Sequence, residues 1–182
     1  MQTPQFLDAW APNAVVLSSA LLVARIAFGL ILSAHGAQKL FGWFGGYGLT
    51  ATGEFLVQLG FRSARLFATM AALTETIGGI LITLGFLGPV GPALMLSVMI
   101  VAVVTVHWHN GLFAATNGIE LPLLYASVAI VLALTGPGLF SLDALLGLEK
   151  LWSPTLAGVA LAIGTIGGIS NLAARRPTAA LV

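Results

Sequence analysis

The sequence contains no cysteine and very few charged residues. Only 7% of its 182 residues are Asp, Glu, Lys or Arg, whereas about one quarter is usual for a soluble domain. The absence of cysteine excludes disulfide bonds, thiol redox chemistry and iron–sulfur clusters held by this chain. The net charge of +1 gives no electrostatic basis for binding nucleic acid, so no nucleic-acid partner is expected.

Hydrophobic residues make up 58% of the chain, and the mean hydropathy is +1.03. This composition predicts an integral membrane protein, an all-α polytopic bundle embedded in lipid. A spanning helix needs roughly 20 mostly apolar residues. Five segments come near or exceed that length, at about 14–41, 64–87, 92–108, 119–135 and 152–172. A further segment, 50–60, is too short to cross and is predicted to lie on or dip into the membrane interface.

Glycine and proline indicate where the spans end. Gly88-Pro89 and Gly91-Pro92 predict a tight turn, which would make the second and third spans an antiparallel pair. Residues 139–151, which include Asp143, are predicted to be a surface segment. Residues 1–13 are predicted to be an interfacial segment, and the apolar run after them is too long for a cleaved signal peptide.

Positive charge in short flanking loops predicts the orientation of a membrane protein. With the N-terminus outside and five spans, the basic residues on the cytoplasmic side are Lys39, Arg62, Arg65, Arg175 and Arg176. Lys150 then lies outside. We therefore predict a multi-pass protein of the bacterial inner membrane, with the N-terminus outside and the C-terminus in the cytoplasm.

Ionisable residues inside apolar spans are costly and indicate function. The first span carries Arg25, His35 and Lys39, and helical spacing places Arg25 and Lys39 on one face together with glycines. The second span carries Glu75 among small residues. Because the two spans are antiparallel, Arg25 and Glu75 are predicted at similar depth, as a structural ion pair or as part of a site that binds a ligand or handles protons.

The ends of four spans bring more polar residues together. His107 and His109 end the third span on the side where the first span ends with His35 and Lys39. The fourth span starts on that side with Glu120. The topology therefore predicts a polar cleft there, whereas His109 is expected to face lipid head groups.

The candidate catalytic residues of this cleft are Glu75, His35 and His107. The candidate ligand-binding residues are Arg25, Lys39 and Glu120. Two histidines on different spans could ligate haem, and a His/His/Glu set could bind a metal ion. The unequal depths and the His107-x-His109 spacing disfavour both, so no metal ligands are predicted. A quinone fits better, because its carbonyl groups accept hydrogen bonds from His or Lys and an apolar crevice can hold its tail.

The fifth span has no ionisable residue. Its small residues Ala160, Gly164 and Gly168 recur every four positions, a pattern typical of close helix contacts. This face is predicted to serve packing within the chain or formation of a homo-oligomer.

Six motifs follow one another between residues 20 and 143: Arg25-x-x-x-Gly29, His35-Gly36-x-Gln38-Lys39-Leu40, Glu75-x-x-Gly78-Gly79, a span ending at His107, Gly118-x-Glu120-x-Pro122, and Gly136-Pro137-Gly138-x-x-Ser141-Leu142-Asp143. Their order resembles the DoxX family. The resemblance implies a small four-helix membrane fold and an association with redox proteins, since relatives include subunits of a terminal quinol oxidase and of a quinone-linked thiosulfate oxidoreductase. Residues 14–143 would form this DoxX-like core, and 144–182 would add a linker, a fifth transmembrane helix and a basic tail.

Three hypotheses about function remain open. The first is a redox-associated membrane protein that binds a quinone or serves as the membrane subunit of an oxidoreductase, and it would need a redox protein partner to supply or take electrons. The second is a structural or assembly subunit without a ligand of its own. The third is a small proton-coupled transporter, which the absence of an internal repeat disfavours.

Overall fold

The computed structural model describes residues 13–176, and the regular elements of that part are all helical. The α-helices are α1 (Ala14–Phe41), α2 (Gly48–Gln58), α3 (Ala64–Leu84), α4 (Val90–Ala102), α5 (Glu120–Thr135), α6 (Leu142–Leu146) and α7 (Pro154–Ala173). Apart from Asn13, the interfacial segment predicted for 1–13 lies outside the described residues, as does the tail after Arg176.

Four helical runs are long and apolar enough to cross a membrane: α1, α3, α7 and the continuous run Val90–Asn110 that begins with α4. The fifth predicted span, α5, is a shorter apolar helix of 16 residues. The prediction of a polytopic helical membrane bundle is therefore confirmed.

Helices α1 and α3 approach each other closely because glycines line both faces. A Cβ atom at Gly29 would lie 2.7 Å from the carbonyl oxygen of Gly79, and one at Gly36 would lie 2.6 Å from the backbone nitrogen of Thr76. Only residues without a side chain permit this approach, as in other membrane helix pairs. The glycine face predicted for the first span is confirmed, and it sets the register between α1 and α3.

The remaining helices complete the bundle around α4. The hydrophobic core includes Leu32 of α1, Met95 of α4 and Leu132 of α5, all buried. Helix α7 packs on the other side of α4 through its small residues. A Cβ atom at Gly164 would clash with the carbonyl oxygen of Ala93.

Of the two uses predicted for the small residues of α7, packing within the chain is the one that the structure shows. A Cβ atom at Gly168 would lie 2.9 Å from the carbonyl oxygen of Ser97, so Gly164 and Gly168 both face α4. These two glycines therefore pack within the chain, where α4 occupies their face, and formation of a homo-oligomer stays a prediction. Ala160, the third residue of the series, is half-buried.

We name the two ends of the bundle after one residue that lies at each, Lys39 and Asp143. At the Lys39 end, α1 and α7 finish and α3 and α5 begin. The Nε atom of Arg175 donates a hydrogen bond to the carbonyl oxygen of Leu59 over 2.8 Å, which fixes the end of α7 beside the α2–α3 loop. At the Asp143 end, α3 finishes, α4 begins and α6 follows the end of α5.

One prediction about the Asp143 end is wrong. Residues 139–151 are not a surface segment throughout, because Asp143 is 0% exposed. Its carboxylate accepts hydrogen bonds from the backbone nitrogens of Leu87 and Gly88 and from the indole nitrogen of Trp152, at 2.7–2.9 Å. These donors replace water, so the carboxylate is buried without being left unsatisfied.

Candidate functional site

A cavity of about 690 Å³ opens inside the Lys39 end of the bundle. Helices α1, α2, α3, α4, α5 and α7 all contribute to its wall, which is mostly apolar. The ionisable residues predicted for the cleft that line it are His35, Lys39, Glu75 and His107. The structure thus brings four of the six candidate residues around one cavity and leaves Arg25 and Glu120 outside it.

Lys39 and Glu75 form an ion pair in the wall of this cavity, and it is the only ion pair within residues 13–176. The Nζ atom of Lys39 lies 2.5 Å from Oε2 of Glu75. The Glu75 side chain is 6% exposed and the Lys39 side chain 30% exposed, so the carboxylate is the deeper partner. Each charge compensates the other in surroundings where an unpaired charge would be costly.

The predicted pairing of Arg25 with Glu75 is wrong. The Arg25 guanidinium instead donates hydrogen bonds to the carbonyl oxygens of Thr83 and Phe140 at the Asp143 end. The glycine contacts between α1 and α3 set a register in which Arg25 lies beside Gly85. Gly85 is ten residues beyond Glu75, which corresponds to about 15 Å along a helix.

His35 is held by a glutamine one turn further along α1. Its Nδ1 atom lies 3.0 Å from Oε1 of Gln38, and Nε2 of Gln38 donates to the carbonyl oxygen of Phe44 over 3.1 Å. Because the amide nitrogen is used by Phe44, the amide oxygen faces the histidine and accepts a hydrogen bond from Nδ1. The other ring nitrogen, Nε2, is left for a ligand.

His107 is positioned by a π-helical turn. Residues Val103–His107 form this turn at the end of α4, where α-helical geometry had been predicted to continue. The turn brings Nδ1 of His107 to 2.7 Å from the carbonyl oxygen of Asn117, whose backbone is left-handed with φ 60°. This carbonyl also fixes the hydrogen on Nδ1 and leaves Nε2 for a ligand. Single π-helical turns are frequent at functional sites.

Glu120 and His109 lie at the same end of the bundle but do not line the cavity. The Oε2 atom of Glu120 accepts a hydrogen bond from the backbone nitrogen of Ala114 over 2.7 Å, so it stabilises the 111–118 loop. The prediction that Glu120 forms a wall of the cleft is therefore wrong, because its carboxylate turns back to its own loop. No group of three His, Asp or Glu side chains that could hold a metal ion occurs within residues 13–176.

Several cavity residues were not predicted from the sequence. Tyr125 of α5 lines the cavity and packs edge-on against Phe28, with ring centroids 5.2 Å apart. Asn171 of α7 and Thr52 of α2 also line it. Gln38 does not line the cavity but orients His35, and this contact could have been predicted, since residues three apart on a helix are neighbours. The contribution of α2 to the cavity wall could not have been predicted, because nothing in the sequence of α2 places it against α3.

The Asp143 end contains a second cluster, in which polar side chains pack against glycines, and we call it the Asp143 cluster: Arg25, Gly85, Gly88, Asp143 and Trp152. Glycine is required at two of these positions by close contacts. A Cβ atom at Gly85 would overlap Nη1 of Arg25, and one at Gly88 would lie 2.5 Å from the Trp152 ring. The space beside Arg25 measures only about 10 Å³, so this cluster is filled by its own side chains.

Fold and sequence together define the class of this protein as a polytopic helical membrane protein with a mostly apolar cavity at one end that contains a few ionisable residues. The family model described as DoxX matches residues 20–108. The chain is also 32% identical over 148 residues to the inner membrane protein YphA of Escherichia coli (strain K12), an alignment that covers 79% of this chain and 99% of YphA. The chain belongs to the DoxX family, as its motifs predicted. No solved structure is significantly similar to it.

Proposed function

We propose that this chain binds a quinone in the cavity at the Lys39 end and serves as the membrane subunit of an oxidoreductase. The supporting observation is the cavity itself, which has mostly apolar walls and contains His35, Lys39, Glu75 and His107. Its volume of about 690 Å³ falls within the range of about 300–1,000 Å³ that is usual for small-molecule sites. The residues present therefore fit an apolar molecule with a polar head group.

Each ionisable residue of the cavity has a distinct part in this proposal. The Nζ atom of Lys39 donates hydrogen bonds to a carbonyl oxygen of the head group, while Glu75 holds the ammonium in place. The Nε2 atoms of His35 and His107 accept a hydrogen bond from a hydroxyl group when neutral, and donate one to a carbonyl group when protonated. The same residues can therefore bind both the quinone and its reduced form, the quinol.

A bound quinone would supply two-electron redox chemistry at this site, and the chain would position it and move protons. Glu75 takes up or releases a proton beside the head group. Without cysteine the chain holds no thiol or iron–sulfur electron carrier. A redox protein partner therefore supplies or takes the electrons.

We propose that the protein resides in the inner membrane, the location in the name of its relative YphA. The Lys39 end faces the cytoplasm, because this end carries most of the positive charge. Its basic residues are Lys39, Arg62, Arg65, Arg175 and Arg176, whereas Lys150 lies in the α6–α7 segment at the Asp143 end. Reporter fusions at both termini test this orientation, and a cytoplasmic N-terminus would contradict it.

The proposal is tested by mass spectrometry of lipid-soluble molecules extracted from protein purified in a mild detergent, followed by titration with decylubiquinone. The wild type should carry quinone and bind the probe saturably. Glu75→Gln should weaken binding about tenfold, the loss expected for one charge-assisted interaction of about 1.4 kcal/mol. His109→Gln is the matched control, since His109 is exposed and does not line the cavity.

Two results would overturn the proposal. One is the absence of both co-purified quinone and saturable probe binding in the wild type. The other is equal probe affinity in the wild type and in variants of Glu75, His35 and His107. Either result would favour a structural or assembly subunit whose cavity holds no redox ligand.

A further inference from the structure

We propose a second binding site, on the outside of the Lys39 end, for the head group of an anionic phospholipid. It is formed by the arginine patch, defined as Arg62, Arg65, Arg175 and Arg176. It does not depend on the quinone proposal, because it shares only the apolar residue Met70 with the cavity wall and none of the ionisable residues of the cavity.

The fold gathers these arginines from distant parts of the sequence. The backbone nitrogen of Arg176 donates to the carbonyl oxygen of Gly60 over 2.9 Å, and Nε of Arg175 donates to Leu59. The Arg175 guanidinium also lies over the ring of Phe61, 5.9 Å from its centroid. The end of α7 is therefore joined to the loop that leads into α3. Arg62 lies in this loop, and Arg65 lies in the first turn of α3.

The charge of this patch is not balanced within the described residues. The only ion pair of residues 13–176 is Lys39–Glu75, so no arginine of the patch has a carboxylate partner there. Glu54 is the one acidic residue of α2, and its neighbour Gly53 packs against Ala64 at the start of α3. Four guanidinium groups against this one carboxylate leave three net positive charges. Arg62, Arg65 and Arg176 are exposed, so these charges can be reached by a ligand.

The start of α3 adds uncharged hydrogen-bond donors to the patch. Ser63 precedes the helix but makes no side-chain hydrogen bond to it. The first intrahelical hydrogen bond runs from the nitrogen of Phe67 to the carbonyl oxygen of Ser63. The N–H groups of the preceding turn have no helical acceptor, and they lie at the positive end of the helix dipole. Phosphate groups bind such helix starts when cationic side chains are near.

An apolar stripe begins beside the arginines and indicates a lipid rather than a soluble anion. Leu66, Met70 and Leu73 are exposed, and their spacing of four and three residues places them on one face of α3. This stripe runs from Arg65 along α3 toward the middle of the bundle. A ligand with an anionic head group and acyl chains contacts both surfaces at once. Basic sites between membrane helices bind anionic lipid head groups in this way.

Native mass spectrometry of the detergent-purified protein tests the proposal with phosphatidylglycerol and phosphatidylcholine of identical acyl chains. The wild type should retain phosphatidylglycerol about tenfold more strongly, as expected for one or two charge-assisted contacts. The double variant Arg62→Gln with Arg65→Gln should lose most of this preference. The double variant with lysine at both positions should retain it, because lysine keeps the charge.

Lys150→Gln is the control for loss of positive charge, since Lys150 lies at the opposite end of the bundle, and it should leave the preference unchanged. Equal retention of both lipids by the wild type would overturn the proposal, and so would an unchanged preference in the glutamine double variant. If that variant does not accumulate, a salt titration of the wild type decides. Phosphatidylglycerol binding must then weaken with salt while phosphatidylcholine binding does not, and salt-independent binding of phosphatidylglycerol would refute the site.

Discussion

The two ends of the bundle both bury charge, but they surround it differently. At the Asp143 end, one carboxylate accepts hydrogen bonds from two backbone nitrogens and an indole nitrogen, and the neighbouring space measures about 10 Å³. At the Lys39 end, Glu75 has one side-chain partner and borders a cavity of about 690 Å³. The first end is filled by the chain itself, whereas the second leaves room and polar atoms for another molecule.

The difference lies in the donors. The backbone nitrogens of Leu87 and Gly88 belong to the α3–α4 turn, so Asp143 cannot lose them unless the turn opens. The partner of Glu75 is the end of a flexible lysine side chain, which can move from the carboxylate to a ligand while both helices stay in place. Buried charge at the Asp143 end thus fixes the fold, and buried charge at the Lys39 end is available for binding.

Asp143→Ala should destabilise the protein more than any single substitution at the Lys39 end. It leaves two backbone nitrogens and the indole nitrogen of Trp152 without their acceptor in a buried place. The expected loss of unfolding free energy is about 3–5 kcal/mol, because each buried donor left unsatisfied costs about 1–3 kcal/mol. Denaturant unfolding of the detergent-purified protein measures it, and quinone affinity of the folded fraction should not change.

Glu149→Ala is the matched control for this prediction, because Glu149 is an exposed acid in the same segment. Its effect should stay within about 0.5 kcal/mol, the usual range for surface substitutions. Equal effects of the two variants would show that the Asp143 cluster contributes little to stability. The contrast between the two ends would then be lost.

A double-mutant cycle should give the next largest effect and tests which residue partners Glu75. Lys39→Met and Glu75→Gln should couple by about 1–3 kcal/mol in unfolding free energy, because the two side chains are in contact. Arg25→Met and Glu75→Gln should be additive within about 0.5 kcal/mol, because those residues lie at opposite ends. Coupling of Arg25 with Glu75, and none of Lys39, would contradict the observed register.

Much of this architecture could be predicted from the sequence, because it depends on local patterns. The length of the apolar segments predicts the spans. The helical spacing of glycines and ionisable residues predicts the face of α1 that they share. Connectivity then places the ends of α1 and α4 together, which is enough to bring His35, Lys39 and His107 to one cleft. These inferences need only composition, helical periodicity and the order of the spans.

The errors arose where partners are distant in sequence. Depth alone made Glu75 the partner of Arg25, but the contacts of Gly29 and Gly36 shift the register by several turns. The burial of Asp143 depends on donors more than fifty residues earlier, in the α3–α4 turn. The π-helical turn that ends at His107 is likewise not signalled by any residue in it, and the carbonyl group of Asn117 that positions the imidazole lies in the following loop.

The smallest expected effect concerns Gln38, and it tests whether the Lys39 end is arranged for a ligand rather than only left open. In the wild type, Gln38 keeps the hydrogen of neutral His35 on Nδ1, so Nε2 accepts hydrogen bonds. Gln38→Leu frees Nδ1 and lets the hydrogen move to Nε2. The affinity for decylubiquinol relative to decylubiquinone should then fall about three- to tenfold, since one hydrogen bond of about 0.5–1.5 kcal/mol is lost. Gln58→Leu, an exposed glutamine of α2 that does not line the cavity, is the control and should leave this ratio unchanged. Equal losses of both affinities in Gln38→Leu would mean that Gln38 only packs the loop, and that His35 is not oriented for a ligand.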